Sequence, residues 1–208
     1  MLLKVNPSLG EYKLFSEVEF DLGTVKVVPL STSHRDSLVE AASDGKLWEL
    51  WFTSVPCDRT IDAYIDFALI EKQNGNSFPF VIIDKLNNKI IGSTRYCNAD
   101  INNKRLEIGY TWYSKSHQKS SVNTECKLAL LEYAFESLNV IAVEFRTHWH
   151  NHSSRTAIAR LGAKQDGVLR NHQKTSDGCY RDTVIFSIIN NEWAVVKKSL
   201  MSKLSVSS

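Results

Sequence analysis

The stretch that decides the fold is LEIGYTWYSKSHQKSSVNTECKLALLEYAFE, residues 106–136. It opens with the alternation of a strand that ends near Tyr113, continues through the polar loop SKSHQKSS (114–121), and closes with apolar residues at helical spacing. A helix that starts directly after such a loop presents unpaired N–H groups and the positive end of its dipole. The stretch therefore predicts a strand–loop–helix unit that can hold a phosphate. An ordinary solvated loop with Ser121 as the helix N-cap is the alternative.

Side-chain periodicity assigns faces to both elements of this unit. The helix is predicted over residues 122–138, and its apolar stripe consists of Val122, Cys126, Ala129, Leu130, Tyr133, Ala134 and Leu138. The strand over residues 105–113 is predicted to place Leu106, Ile108, Tyr110 and Trp112 on one face and Glu107, Gly109 and Thr111 on the other. Glu107 is singled out because buried glutamate is rare without a purpose. The alternative is an exposed Glu107 paired with Arg105 or Arg146.

The remaining sequence alternates between strand and helix patterns. Before the central stretch it predicts a strand at 24–30, a helix at about 34–43 after Ser33, a helix at 48–52, a helix from Thr60, and a hairpin of 78–85 and 89–97. After it come a strand at 140–149, a helix from Asn151 to Gly162, a hairpin of about 166–173 and 180–189, and a helix over about 191–203. We therefore expect an α/β fold with a mixed, mostly antiparallel, twisted sheet of about seven strands and helices on both faces.

Composition excludes several classes of protein. The chain has 208 residues, and its net charge of +2 is too small to argue for nucleic acid or a membrane surface as partner. The four cysteines have neither metal-site nor disulfide-framework spacing, and no apolar run has the length of a membrane span, so a cytoplasmic protein is expected. Residues 1–19 are taken as an N-terminal extension, either partly disordered or an edge strand, and residues 20–204 as one domain. Monomer and homodimer both stay open.

Three motifs in one order resemble the GCN5-related N-acetyltransferases (GNAT), and more closely the branch that includes the ribosomal-protein alanine N-acetyltransferases. The loop from Gln118 to Asn123 is similar to that branch's Gln/Arg-x-x-Gly-x-Gly/Ala motif, and Glu107 precedes Gln118 by eleven residues, much as the family's strand glutamate does. NHSSRTAIARLGA (151–163) and DGVLRNHQKTSDGCYRDTVIFSIINNEW (166–193) continue the match. The resemblance covers about residues 20–200, and three separated motifs are more specific than any one of them.

The resemblance implies transfer of an acetyl group from acetyl-CoA to a primary amine, either a protein N-terminus or a small molecule, in a ternary complex. It implies that Glu107 is the base and Ser154 the general acid toward the CoA thiolate. The residues implied to bind the cofactor are Tyr110, Trp112, Gln118, Lys119, Ser120, Ser121, Val122, Asn123, Asn151 and Arg155. Trp48 and Trp51 are implied to line the acceptor pocket.

Simpler interpretations stand beside these roles. Asn151 and Ser154 also have the positions that a helix start requires, N-cap and N3. Trp48 and Trp51 lie at helical spacing, and aromatic residues in that pattern are more often core than substrate wall. Arg155 could equally be a surface arginine.

Other functions compete with acetyl transfer. His148, His150 and His152 alternate at the end of a strand, but no carboxylate or cysteine ligand lies near them in sequence, so no metal site is expected. A CoA-binding sensor without turnover is the main alternative function. An RNA- or ribosome-associated binding protein is a third, and it would need a basic face that the near-neutral charge disfavours.

Ser121 departs from the glycine that the family usually has, and Asn123 is bulkier than the Gly or Ala of the second small position. The Ser121 Cβ reduces the space in front of a bound pyrophosphate, whereas its N–H remains a donor. We therefore predict that Ser121→Gly keeps or tightens acetyl-CoA binding in calorimetric titrations. A large loss of affinity would show that this loop does not hold the cofactor as the resemblance implies.

Overall fold

The computed structural model describes residues 17–175 and 177–207. Its strands are β1 (Phe20–Asp21), β2 (Val25–Pro29), β3 (Phe78–Asp84), β4 (Lys89–Asp100), β5 (Arg105–Tyr113), β6 (Ala142–His148), β7 (Lys164–Lys174) and β8 (Tyr180–Ile189). Its helices are α1 (Arg35–Ser43), α2 (Ile61–Gln73), α3 (Val122–Glu132), α4 (His152–Leu161) and α5 (Asn190–Ser207). Residues 1–16 of the expected extension and Ser176 of the expected hairpin turn lie outside the described residues.

The strands form one mixed sheet in the order β1-β2-β3-β4-β5-β6-β8-β7. Every recorded neighbour pair is antiparallel except β5 with β6. The expected mixed α/β fold is confirmed, but the described sheet has eight strands and not about seven. The additional strand, β1, has two residues, which is too short for alternation to reveal, and it is defined by its pairing with β2.

Helices cover both faces of the sheet, and each face has its own core. One core cluster includes Cys126 and Leu130 of α3, Leu161 of α4 and Leu200 of α5. The other joins the sheet to α1 and α2. We call these the α3 face and the α2 face. Within the described residues, no helix combines the length and the apolar character that crossing a bilayer requires.

Two helical predictions were wrong in part. The helix expected at 48–52 is a 3-10 turn at Leu47–Glu49 followed by an irregular turn. Gly45 and Lys46 both have positive φ just before it, and five residues are too few to support an α-helix there. In the helix expected over 122–138, Lys127, Leu131 and Phe135 are buried, whereas Ala129, Tyr133 and Leu138 of the expected stripe are only half-buried. The chain after Glu132 continues as a π-helical turn over Tyr133–Ser137.

A β-bulge in β5 breaks the alternation predicted for the central strand. Arg95 of β4 pairs with Gly109, and Ser93 with Trp112, so β5 has one residue more than β4 across this interval. Tyr110 lies in the bulge with φ 50° and is 41% exposed. Because an extra residue inverts the order of faces, Trp112 packs on the α2 face and not beside Leu106 on the α3 face. The prediction that Tyr110 and Trp112 share a face with Leu106 was therefore wrong.

The parallel pair β5–β6 is short and then opens. Its recorded register covers Arg105↔Ala142, Leu106↔Val143 and Glu107↔Glu144, although both strands continue beyond it. Within the described residues the two strands therefore diverge after Glu107. Since α3 follows β5 and α4 follows β6, both helix N-termini lie at this opening. Ligands of open α/β sheets bind at the carboxyl ends of such strands.

The close approach of β4 to the bulged part of β5 makes Gly92 a sensitive position. A Cβ placed on Gly92 would lie 2.2 Å from the Trp112 carbonyl oxygen, which is backbone and cannot yield easily. We predict that Gly92→Ala lowers the free energy of unfolding by about 3 kcal/mol in urea titrations. Gly167→Ala is the matched control, because nothing lies within 4 Å of its Cβ, and its change should stay within about 0.5 kcal/mol. Equal effects would mean that this part of the sheet is not closely packed.

Candidate active site

Glu107 occupies the point at which β5 and β6 separate. Its side chain is buried, and its Oε2 accepts a hydrogen bond of 2.7 Å from Asn98 Nδ2 and lies 3.5 Å from Arg146 Nε. Burial raises the pKa of Glu107, and the hydrogen bond from Asn98 and the charge of Arg146 oppose that rise. The sequence alternative was an exposed Glu107 paired with Arg105 or Arg146. The ion pair with Arg146 is present, but Glu107 is not exposed. The result is a buried carboxyl group whose pKa is shifted toward neutrality.

Glu144 organises the charges around Glu107. It accepts hydrogen bonds from Arg105 and, at 2.9 Å, from Arg146 Nη2, so Arg105 is paired with Glu144. Its negative charge also contributes to the raised pKa of Glu107. A cavity of about 160 Å³ adjoins both carboxylates, lined by Asn98, Asp100, Arg105, Leu106, Glu107, Glu144 and Arg146. Glu107 is thus buried from bulk water but next to open space.

The loop before α3 keeps several backbone donors free. Lys119 has φ 61°, and the Ser120 hydroxyl donates to the His117 carbonyl at 2.7 Å. Gln118 Nε2 donates to the Tyr113 carbonyl at 3.0 Å, so this side chain anchors the loop to the end of β5. Among the described residues, no recorded acceptor faces the N–H of Ser121 or Asn123. These free donors lie where a helix N-terminus favours an anion.

Ser121 occupies the N-cap position of α3 but does not cap it with its side chain. Its φ of −69° is an ordinary helical value, so the position does not require glycine. The positive φ of the loop is at Lys119 instead. The serine in place of the family's glycine therefore causes no backbone strain, and any effect on cofactor binding comes from its side-chain volume alone.

At the start of α4, Asn151 is a true N-cap. Its Oδ1 accepts from the Ser154 N–H at 3.1 Å and from the Ser153 hydroxyl at 2.9 Å, which is the capping role raised from sequence. The Ser154 side chain is half-buried, and its hydroxyl has no recorded partner among the described residues. Arg155 donates to the Trp149 carbonyl at 3.2 Å and stacks 4.3 Å from the Trp149 ring centroid.

The two tryptophans assigned to the acceptor pocket have different environments. Trp48 packs against the core of the α2 face, as the simpler interpretation held. Trp51 is 69% exposed and lies edge-on to His148, with ring centroids 5.0 Å apart. His148 is buried, and burial lowers its pKa. Within the described residues, no group of three or more His, Cys, Asp or Glu side chains is arranged to hold a metal ion.

Sequence analysis missed two buried cations on opposite faces of the β4–β5 pair. Arg95 of β4 is 1% exposed on the α2 face, among the rings of Tyr64, Phe67 and Tyr110. Lys127 of α3 reaches the sheet from the α3 face, and its Nζ donates to Thr111 Oγ1 at 2.7 Å and Thr94 Oγ1 at 3.2 Å. The available signals were an arginine inside the apolar strand KIIGSTRYC and a lysine at i+5 of the stripe that begins at Val122.

The comparisons with known proteins agree with this geometry. Residues 25–164 match the family model described as the acetyltransferase (GNAT) domain. An uncharacterized N-acetyltransferase p20 of Bacillus licheniformis is 29% identical over 143 residues, covering 69% of this chain and 78% of its own. A GCN5-related N-acetyltransferase from Brucella melitensis superimposes with a TM-score of 0.82 at 26% identity, covering 91% and 86% of the two chains. RimJ of Mycobacterium smegmatis, solved with CoA-disulfide, shares the fold with a TM-score of 0.74 at 18% identity, covering 90% and 95%.

The chain belongs to the GNAT acetyltransferase family. It is an acyl-CoA-dependent N-acetyltransferase, which transfers the acetyl group of acetyl-CoA to an amine. The residues present fit that co-substrate, because the start of α3 offers unpaired N–H groups and the sheet opens between β5 and β6.

Lys127 provides a pH-dependent test of the site's interior. Burial lowers the pKa of Lys127 to about 8, whereas an unfolded lysine titrates near 10.5. Between these values the unfolded chain binds more protons, so this group makes stability rise with pH through that window. We predict that the stability of the wild type relative to Lys127→Met increases by about 3 kcal/mol from pH 7.5 to 10.5 in denaturant titrations. A pH-independent difference would mean that the amine is solvated.

Proposed function

We propose that Glu107 is the base of a direct transfer in which acetyl-CoA and the amine are bound together. The observation that carries this role is the position of a buried carboxyl group at the point where β5 and β6 separate. Its raised pKa reduces the mismatch with an ammonium group, so that proton transfer costs less than it would to an exposed glutamate. A water molecule can relay the proton if the amine does not reach the carboxylate.

The reaction then follows from the groups around the opening. The ammonium gives its proton to Glu107, and the freed amine nitrogen forms a C–N bond to the thioester carbonyl carbon. The carbonyl oxygen becomes an oxyanion. We assign its stabilisation to the backbone of the bulge, because Tyr110 and Thr111 lie outside the paired register of β4 and β5. As the C–S bond breaks and the carbonyl forms again, Ser154 gives its hydroxyl proton to the departing thiolate. The nitrogen, which still carries one extra proton, passes that proton to the Ser154 oxygen directly or through water, so that the amide and the free CoA thiol are the products. The Ser154 hydroxyl, which has no hydrogen-bond partner among the described residues, supports that assignment.

For the cofactor, we assign the pyrophosphate to the backbone N–H groups from Gln118 to Asn123. The unpaired N–H groups of Ser121 and Asn123 among the described residues support this assignment. The Gln118 side chain is already hydrogen-bonded to the Tyr113 carbonyl. The pantetheine extends along the β5 edge at Tyr110 and Trp112, between β5 and the Asn151 cap. Arg155 lies near the same helix start and can approach a phosphate only by leaving Trp149.

For the acceptor, we propose a primary amine of a protein N-terminus or of a small molecule that enters on the α2 face beside Trp51. We further propose one catalytic domain over residues 20–204 that acts in the cytoplasm as a monomer or homodimer. A sensor without turnover is the alternative that the departures at Ser121 and Asn123 keep open, and the unstrained backbone of Ser121 weakens the first of these two grounds.

The base role gives a kinetic prediction. Glu107→Gln should lower kcat at least tenfold in a thiol-release assay with acetyl-CoA and a panel of amines and N-terminal peptides. The loss should be larger at pH 6.5 than at pH 9, because at higher pH more of the amine is already neutral. Glu144→Gln is the matched control, since it removes a carboxylate from the same charge cluster, and its loss should be less than threefold.

Two outcomes would contradict the proposal. Unchanged kinetics in Glu107→Gln across pH would remove Glu107 from the mechanism. Equal losses in both variants would indicate that the charge cluster only maintains structure.

A further inference from the structure

Arg95 is a buried cation that the transfer chemistry above does not use. Its side chain lies in the middle of β4 and is 1% exposed. Among the described residues, Nε and both terminal nitrogens of its guanidinium lack a hydrogen-bond partner. A guanidinium has five N–H donors and stays charged, so burying it unpaired is costly. Unsatisfied buried groups of this kind call for a specific explanation, and a ligand supplies one.

In the part of the chain that the structure describes, the neighbours of this guanidinium are aromatic rings and not carboxylates. Its central carbon lies 3.9 Å from the ring centroid of Tyr110, 4.8 Å from that of Tyr64 and 6.0 Å from that of Phe67. Cation–π contacts compensate part of the desolvation, but they do not satisfy the N–H groups in the guanidinium plane. Tyr110 is 41% exposed and Phe67 49% exposed, and their centroids are 6.5 Å apart. Both partly exposed rings thus lie against the buried guanidinium, and a ligand reaches its N–H groups only when one of these rings turns aside.

Arg95 and Glu107 lie on one face of adjacent strands. Arg95 pairs with Gly109, and Cys97 pairs with Glu107, so the two charged residues are diagonal neighbours. A Cβ on Gly109 would lie 2.9 Å from Glu107 Oε1, which shows that the carboxylate leans over this glycine, directly across from Arg95. Two residues along a strand span about 7 Å. An acceptor whose amine lies at Glu107 can therefore place an acid group, a few bonds from that amine, at Arg95.

We propose that Arg95 binds a carboxylate of the acceptor, so that the enzyme acetylates amines that carry a carboxylate a few bonds from the nitrogen. This inference rests on the proposed acceptor position beside Glu107. The planar N–H edge of arginine matches a carboxylate with two parallel hydrogen bonds. Because the rings of Tyr64 and Tyr110 pack against the guanidinium, a group lying in its plane reaches the donors best, which favours a flat carboxylate over a tetrahedral phosphate.

The first test uses the wild-type enzyme and matched acceptors. Amino acids and ω-amino acids of increasing chain length are compared with their primary amides and with the amines that lack the acid group. Each kcat/KM is calculated with the concentration of the unprotonated amine, because the amino group of an amide is less basic than that of the corresponding acid. At one or more chain lengths, kcat/KM should be at least tenfold higher for the acid than for its amide. Equal values throughout, or a stronger preference for aminoethyl phosphate over every carboxylate, would overturn the proposal.

The second test uses Arg95→Met, which replaces the unpaired charge with an apolar side chain of similar length. The tenfold preference for the acid should disappear through KM, with acetyl-CoA affinity unchanged and thermal stability equal or higher. The control Arg160→Met changes an exposed arginine of α4 and should keep the preference. A variant that is less stable and equally impaired with acids and amides would assign Arg95 a purely structural role.

Failure of the proposed function can be distinguished from failure of this inference. If no amine releases thiol although acetyl-CoA binds, the acceptor assignment fails, and calorimetry with the same amino acids then tests Arg95 alone. Binding in the wild type that is lost in Arg95→Met supports the carboxylate site. No binding in the wild type overturns it.

Discussion

The constraint on which the site depends is the extra residue in β5. By inserting Tyr110 between two registers of the β4–β5 ladder, the chain places Glu107 and Trp112 on the α2 face although they are five residues apart. The same bulge bends the strand, and β5 leaves β6 after three recorded pairs. The opening, with the carboxyl group at its base and the two helix starts beside it, therefore lies next to that single irregularity.

The bulge is supported from both faces by cations that lack a carboxylate partner among the described residues. Lys127 donates to Thr94 and Thr111, whose hydroxyls lie 2.8 Å apart across the irregular register, so it satisfies groups near the bulge from the α3 face. On the α2 face, Arg95 packs against the Tyr110 ring. Buried charges and positive φ both cost stability, and proteins keep such costs mainly at functional sites. Their coincidence at one point in β5 is independent of any likeness to other proteins.

Sequence patterns were sufficient for the family and for most of the elements. The bounds of β5 agree with their prediction, and α4 with its Asn151 cap and Gly162 end follows the expected signals. Periodicity did not predict the features of the sheet that depend on contacts between strands. The bulge depends on the register with β4, and the two-residue β1 exists only through its partner strand. Lys127 was left out of the helix stripe because it is charged, and only the hydroxyls across the sheet explain its burial.

The candidate site was predictable in its chemistry and less so in its geometry. The motifs selected Glu107 and the loop before α3. The different environments of Trp48 and Trp51 depend on a turn that residue spacing does not distinguish from a helix.

The most direct test is amide hydrogen exchange with and without saturating acetyl-CoA. With acetyl-CoA bound, we expect added protection in residues 108–113 and 118–124 and at the start of α4. Saturable binding with protection confined to other parts of the sheet would contradict it.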